Sequence, residues 1–440
     1  MTVVIVGAGL AGIAAAVRLT DAGLKVLLFE RSRHLGGRAG SAPDPTSGRE
    51  LDFGQHVYLY CCERYRLLLR RLGTESLAPL HRPMRIRVSD AHRDALPGKG
   101  ATLYSTSLPT GLHLVPAFLR YSHLSVRERM ETARILLRLL HRDRTAGELE
   151  TLTFGDWLRG QGASENSLRS FWNVVTVAAL NAAVDDVSAA WGFMLFQTGL
   201  LANRRAAEVG VPQVPLSRLV APAEKVIADG GGKLLLQSPV AQVEVERGRA
   251  KGVRLADGTR VPADAVVVAT AHRQLPGLLP HEHAGHPFFS EVLQLPVRPI
   301  IDVHMGFAAP VTSPEFSFAV FLNSPVQWVF AHEGGRRLAV SISNPVDFRR
   351  AKRDEIAGAV TAEVQRLFRC GRPEWIAVRR HASATFDVGP GKARFRRPQK
   401  TPIARLYVAG DWTDTGWPAT MEGAVRSGEL AADAVLQDLR

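Results

Sequence analysis

The first thirty residues leave few folds open. An apolar run at 3–6 stops at Gly7, an apolar helix-like stretch covers 11–19 and gives out near Gly23, and a second apolar run at 25–29 ends in Glu30. Short continuous apolar runs bounded by glycine mark buried parallel strands, so the order is strand, loop, helix, strand. The loop reads GAGLAG. In that spacing Gly7 permits the tight turn, Gly9 lets backbone approach a pyrophosphate, and Gly12 lets the helix pack closely on the strand. The helix N-terminus turns its positive end to the phosphates. Glu30, eighteen residues after Gly12, suits a ribose hydroxyl. A glycine triplet alone is weak, but strand, helix, strand and acid in register make a dinucleotide-binding unit.

The unit does not recur. Gly230, Gly231 and Gly232 precede an apolar run instead of following one, the wrong order for holding phosphate. The chain thus carries one dinucleotide site and no second bay for a nicotinamide cofactor. At 440 residues and 46% hydrophobic content it can bury a large core in two domains. Cys61, Cys62 and Cys370 lack the spacing of a metal site or a disulfide framework, so no metal and a reducing cytoplasm are expected. The apolar N-terminus lacks the basic start of a signal peptide, and no apolar run reaches the ~18 residues of a membrane span. A soluble or peripheral protein is expected.

Lys and Arg outnumber Asp and Glu by 55 to 42, a net charge of +13. The basic clusters at 64–71, 120–144 and 394–397 lack the aromatic interleaving of a single-strand binder, so no nucleic-acid partner is expected. A solvated basic face or an anionic membrane surface accounts for the charge.

Further along, residues 49–73 read as a turn at Phe53-Gly54, a short strand and an amphipathic helix ended by Gly73. From 109 to 201 the pattern is helical. Ser125 and Glu128 form a capping box ahead of a helix to about 140, and Thr153 with Asp156 opens another at Trp157. The stretch 171–201 is the most apolar, either a buried helical layer or the wall of a greasy cavity. Strands then return at 233–237, 240–246, 250–255 and 265–269, with Asp257-Gly258 as a hairpin turn. Alternation at 298–307, 317–322, 326–330 and 338–343 predicts a separate antiparallel sheet, crossed by a helix at 354–368. A buried strand at 406–409 leads into Gly410-Asp411 and a helix at 421–436.

The opening unit extended through HLGGRAGS, with the late strand-Gly-Asp-helix unit, resembles the FAD-dependent amine oxidase and phytoene desaturase superfamily. Within it, LDFGQHV, AALNAAVDDVSAA, RPIIDVHMGF and AGDWTDTGWPATMEGAVRSG are similar to the hydroxysqualene dehydroxylases over nearly the whole chain. The resemblance implies an α/β fold: a Rossmann-like FAD-binding domain of the glutathione-reductase/amine-oxidase type (1–80, 205–295, 396–440) interleaved with an α+β substrate domain (81–204, 296–395). It implies FAD held by Gly36, Gly37, Arg38, Gly54, Val240, Gly410, Asp411 and Met421, beside Gly7, Gly9, Gly12 and Glu30. With no cysteine near Gly410 in sequence, noncovalent FAD is expected.

The implied reaction is loss of the hydroxyl of hydroxysqualene and its replacement by hydride from reduced flavin, giving squalene for hopanoid or sterol synthesis. A carotenoid or other isoprenoid desaturase is the alternative, and a noncatalytic flavoprotein presenting isoprenoid lipids to partner enzymes is a different class. With no nicotinamide bay, the flavin would be recharged by an external electron donor. Departure of hydroxide needs a positioned acid. His56 is the first candidate because imidazole titrates in the useful range, with Tyr58 and Asp302 as the others. Trp412 and Trp417 flank the implied flavin loop and either face the site or simply pack the core. Relatives tend toward glycine at the place of Tyr60 and tyrosine at the place of Cys62, so the bulkier Tyr60 is expected to reshape the pocket mouth. A long-chain isoprenoid substrate must come from a bilayer, which predicts cytoplasmic protein held at the inner, anionic face of the membrane.

Overall fold

The computed structural model describes residues 1–94, 100–110, 112–144, 147–313 and 316–440. Its first sheet has five parallel strands in the order Lys233–Leu235, Lys25–Phe29, Thr2–Val6, Ala265–Val268 and Leu406–Val408. Val3 to Val6 are almost entirely buried, as are Ala265 to Val268, because helices cover both faces of this kind of sheet. The helices Leu10–Asp21 and Met421–Leu439 lie side by side on it. They touch at Gly428, where a Cβ would stand 2.1 Å from the Ala11 carbonyl oxygen, so hydrogen alone fits there.

The chain crosses repeatedly between this sheet and others. Val240–Glu246, Arg249–Leu255 and Arg260–Pro262 form a small antiparallel sheet, and the Asp257-Gly258 turn joins its last two strands in the register Arg254 opposite Arg260. The large sheet has seven strands, in the order Trp375–Phe386, Val297–Gly306, Arg337–Ser343, Trp328–His332, Phe318–Leu322, Arg85–Asp90 and Ala101–Tyr104. All its pairs are antiparallel except the one between Phe318–Leu322 and Arg85–Asp90. One face packs on the helix Arg353–Phe368 through Ile301, Val303, Met305, Val340, Ile356 and Val360.

Several elements differ from the sequence expectation. The sheet is larger than its four alternating runs implied, since Trp375–Phe386 and the pair at 85–104 join it. The apolar stretch 171–201 is two helices, Asn173–Leu180 and Ala189–Phe196, broken where Asn181 takes φ 55°. Each is continued by a π-helical turn, Leu168–Trp172 before the first and Gln197–Leu201 after the second. Thr153 caps a helix that begins at Phe154, three residues before Trp157, by accepting from the Asp156 backbone N–H. The Ser125–Glu128 capping box forms as read, at the start of the helix Val126–Leu140.

Candidate functional site

A cavity of about 1180 Å³ begins at the C-terminal ends of the parallel strands and runs to the helical layer. In open parallel sheets this edge is where ligands collect. Its polar end is lined by Gly7, Gly9, Glu30, Gly36, Gly37, Arg38, Val240, Gly410, Asp411 and Met421. Gly12 stands one turn behind the wall, where a Cβ would lie 1.9 Å from the Gly7 carbonyl oxygen. Gly7 itself has φ 103°, and its Cβ would meet the Ala269 carbonyl oxygen at 2.7 Å. The N-termini of the two long helices, capped at Gly9 and Thr420, both open here, so two helix dipoles present their positive ends to one space. Glu30 is fixed at the strand tip by accepting from the Ala8 and Ser32 backbone N–H groups, each at 2.8 Å. Backbone donors at helix starts, a carboxylate at the second strand's end and a wall free of side chains fit a dinucleotide.

The loop after Gly410 is held from behind. Gly410 N–H donates to Ser427 Oγ at 2.9 Å, and Arg38 pairs with Asp411 while donating to the Ala384 carbonyl. Arg396 is only 6% exposed and donates to the Asp411, Thr413 and Trp417 carbonyls. Burial pulls its guanidinium down to about 10. Sequence reasoning placed this arginine in a solvated basic cluster; an arginine followed by a Gly-Asp-Trp loop carried no signal of its burial. Trp412 donates its Nε1 to the Thr270 carbonyl and packs in the core, whereas Trp417 lies on the cavity wall.

Beyond the glycines the wall turns apolar, with Leu103, Leu114, Phe118, Phe171, Val174 and Leu195 among its members. Both π-helical turns reach it, through Phe171 and through Thr198, Gly199 and Leu200. Tyr60 is not part of this wall. Its ring is held between the Arg66 and Arg205 guanidiniums, 4.2 and 4.0 Å from the ring centre, so it does not shape the mouth as expected. Cys61 and Cys62, distant from Gly410 in sequence, do line the cavity. The bond with Cys61 and burial push the Cys62 thiol well above its usual range, which keeps it protonated and a poor nucleophile.

Between the two ends stand the titratable groups. Asp302 is 2% exposed and accepts from the Gln55 backbone N–H at 3.1 Å, and burial pushes its carboxyl up to about 7. Gly54 is what allows the approach, since a Cβ there would lie 2.8 Å from Asp302 Oδ2. His56 places Nδ1 2.8 Å from the Gly54 carbonyl oxygen, and burial lowers its pKa. A neutral imidazole with Nδ1 donating leaves Nε2 as an acceptor. Tyr58 commits its hydroxyl to the Ala78 carbonyl at 2.5 Å, and burial pushes it up to about 12.

Behind Asp302 lie two further histidines that sequence reasoning missed, His304 and His332, both pulled down to about 3 chiefly by burial. His332 meets Gln55 Oε1 through Nε2 at 2.9 Å. The signal for His304 was the alternation in IIDVHMG, which sends Ile301, Val303 and Met305 to the helix-covered face and Asp302 and His304 to the other.

The model of the family described as flavin containing amine oxidoreductase matches residues 10–436. The chain is 31% identical to a hydroxysqualene dehydroxylase of Rhodopseudomonas palustris over 441 aligned residues, covering 99% of this chain and 98% of that one. It is 28% identical to a probable zeta-carotene desaturase of Synechococcus elongatus over 489 aligned residues, covering 99% of both. Among solved structures it resembles an oxidoreductase from Methanosarcina mazei at TM-score 0.74 and 20% identity, covering 99% of this chain and 100% of that one. Cyclohexylamine oxidase from Brevibacterium oxydans follows the same fold at TM-score 0.69 and 20% identity, covering 100% of this chain and 99% of that one.

Proposed function

The chain belongs to the flavin-containing amine oxidoreductase family and its cofactor is FAD, and on that premise we propose that it removes the hydroxyl of hydroxysqualene to give squalene. The observation that carries this reading is Asp302: a buried carboxyl, protonated in part near neutral pH, on the wall of a cavity that is polar at its glycine-lined end and apolar at the other. Hydroxide is a poor leaving group and departs as water only when a positioned acid supplies a proton, an assistance worth about 10²- to 10⁴-fold. His56, the first candidate from sequence, is neutral there with an accepting Nε2, and the Tyr58 hydroxyl is taken by backbone. Asp302 is therefore the proposed acid, and His56 accepts a hydrogen bond from the substrate hydroxyl or the departing water.

FAD in this cavity would supply, in its reduced form, the hydride that the reaction requires. Gly9, Gly37 and Met421 would hold its phosphates by backbone, Gly7, Gly36 and Gly410, whose N–H groups are bound within the fold, would give it room, and Glu30 would hold its ribose and Val240 its adenine. Noncovalent attachment accords with the protonated Cys62 thiol. Leu103, Phe118, Phe171 and Val174 hold the C30 chain and keep water from a developing allylic cation. One proton from Asp302 and one hydride balance the loss of water and the new C–H bond. Asp302 is reprotonated from solvent, and an external donor restores the reduced cofactor.

Chain length supports the dehydroxylase reading: its alignment needs 441 positions for a 440-residue chain, while the carotene desaturase alignment needs 489. The desaturases nevertheless cover the same 99% of the chain. In that second reading Asp302 accepts a proton. The purified flavoprotein separates them. Reduced anaerobically and given hydroxysqualene, it is expected to reoxidise and release squalene. Bleaching of the oxidised protein by zeta-carotene or phytoene, without squalene formation, supports desaturation instead, and a flavin inert to both leaves only a noncatalytic lipid-presenting role.

A further inference from the structure

Exposed large apolar side chains are not spread evenly over the surface. Among the described residues fifteen stand out, and seven of them fall between 108 and 137, a concentration that single scattered side chains do not produce. They belong to two adjoining helices, Val115–Arg120 and Val126–Leu140, and the segment leading into them. Leu112, Val115, Leu119, Val126, Met130 and Leu137 are each between 42% and 68% exposed. The longer helix is apolar on two sides. Thr132, Ile135, Leu136 and Leu139 face the core, while Val126, Met130, Ala133 and Leu137 recur at helical spacing on the opposite side. Arg129 joins the helices by donating to the Leu119 and Leu124 carbonyls, so their outward faces adjoin.

The charges around these side chains have one sign. Arg120, Arg127, Arg134 and Arg138 rim the patch, while the two acids of the longer helix are turned to the fold: Glu128 binds Ser125, Ser164 and Asn166, and Glu131 binds Ser164 and Ser167. An apolar stripe in an arginine rim is the composition of a helix that lies in the interface of an anionic bilayer. The shorter helix adds a second observation. Its inner face, Leu114, Ala117 and Phe118, is part of the cavity wall, while its outer face, Val115 and Leu119, is exposed. One helix therefore separates the greasy cavity from the outside.

We propose that the helices Val115–Arg120 and Val126–Leu140 seat the protein on an anionic lipid bilayer, inserting their outward apolar side chains, and that long apolar substrate enters the cavity past the shorter helix. The seating stands on the surface alone; the entry route rests on the isoprenoid reading. No described helix is long and apolar enough to cross a membrane, so the attachment is peripheral. It is also apolar as well as electrostatic, which a diffuse positive charge would not give.

The test is co-sedimentation of the full-length flavoprotein with vesicles of phosphatidylglycerol and phosphatidylcholine, with phosphatidylcholine alone as control. The parent is expected to bind the anionic vesicles and to keep part of its binding at high salt. The triple variant Leu119→Asp, Met130→Asp, Leu137→Asp is expected to lose binding by at least about tenfold, with its flavin spectrum and thermal midpoint unchanged because all three side chains already face solvent. Equal binding of variant and parent overturns the proposal, as does a parent that fails to bind at low salt. A parent dimer that the variant splits into monomers also overturns it, in favour of a second copy as the occupant. Sedimentation does not depend on turnover, so failure of the dehydroxylase reading leaves this result intact. If the variant loses vesicle binding but still turns over vesicle-borne substrate like the parent, the entry route fails while the seating stands.

Discussion

At the scale of single residues, the site's chemistry turns on a carboxyl and on glycines that cannot be anything else. Asp302→Asn is expected to lower the turnover of hydroxysqualene by about 10²-fold or more while leaving flavin bound. Parent activity should fall as pH rises through about 7, where Asp302 loses its proton, and the variant should lack that limb; a pH–rate profile of the two checks it. Gly12→Ala brings a Cβ against the Gly7 carbonyl oxygen and is expected to yield protein without the visible flavin spectrum, read directly on the purified chain. The sequence showed these glycines by their spacing. It put His56 first among the acids where the proposed role goes to Asp302, because burial bears on which of His56, Tyr58 and Asp302 holds a usable proton, and burial comes from strands far apart in the chain. Arg396 was hidden for the same reason.

Elements were legible where one segment carries its own pattern. GAGLAG between two apolar runs, the Ser125–Glu128 box and the Asp257-Gly258 turn each formed as read, since strand, cap and hairpin are local events. Trp375–Phe386 was missed because arginine and histidine interrupt its apolar positions, although it pairs along the length of Val297–Gly306. The contact of the first and last long helices was also invisible, yet both helix starts must meet at one cavity. Glu422, wholly buried, accepts from the Arg64 and Tyr65 backbone N–H groups and so ties the start of the helix Glu63–Arg71 to the last one. Gly428→Ala must push the two long helices apart against the Ala11 carbonyl. A loss of about 1–3 kcal/mol is expected. It should appear as a lower thermal midpoint and weaker flavin retention; an unchanged midpoint would contradict the close crossing.

For the molecule as a whole, buried titratable groups give stability a definite pH dependence. His304 and His332 have folded pKa values near 3, below those of free histidine, so the unfolded chain takes up their protons first and stability is lost as pH falls from about 6.5. Asp302 works in the opposite direction. Its folded pKa is raised, so its contribution is present below about 4 and lost as pH rises through about 7. Between roughly pH 6 and 4 the two histidines and Asp302 therefore pull stability in opposite directions, and His56 adds to the side of the histidines. Asp302→Asn removes an opposing proton and should make the fall of the thermal midpoint with falling pH steeper than in the parent. The cofactor class was legible at this scale because two distant motifs share one ligand. The size of the second sheet was not, since it draws strands from both sides of the helical layer.

The five-stranded sheet also has a history in time. Thr2–Val6 leaves the ribosome long before its neighbour Ala265–Val268 and the next strand, Leu406–Val408. A nascent chain halted before residue 408 possesses GAGLAG but neither Gly410 nor the helix Met421–Leu439 that closes on it. If Gly410 and this helix hold the flavin as proposed, its capture waits until both are made. Until Leu406–Val408 is made, Ala265–Val268 waits with an unpaired edge, and such edges are what a nascent protein must keep from pairing elsewhere.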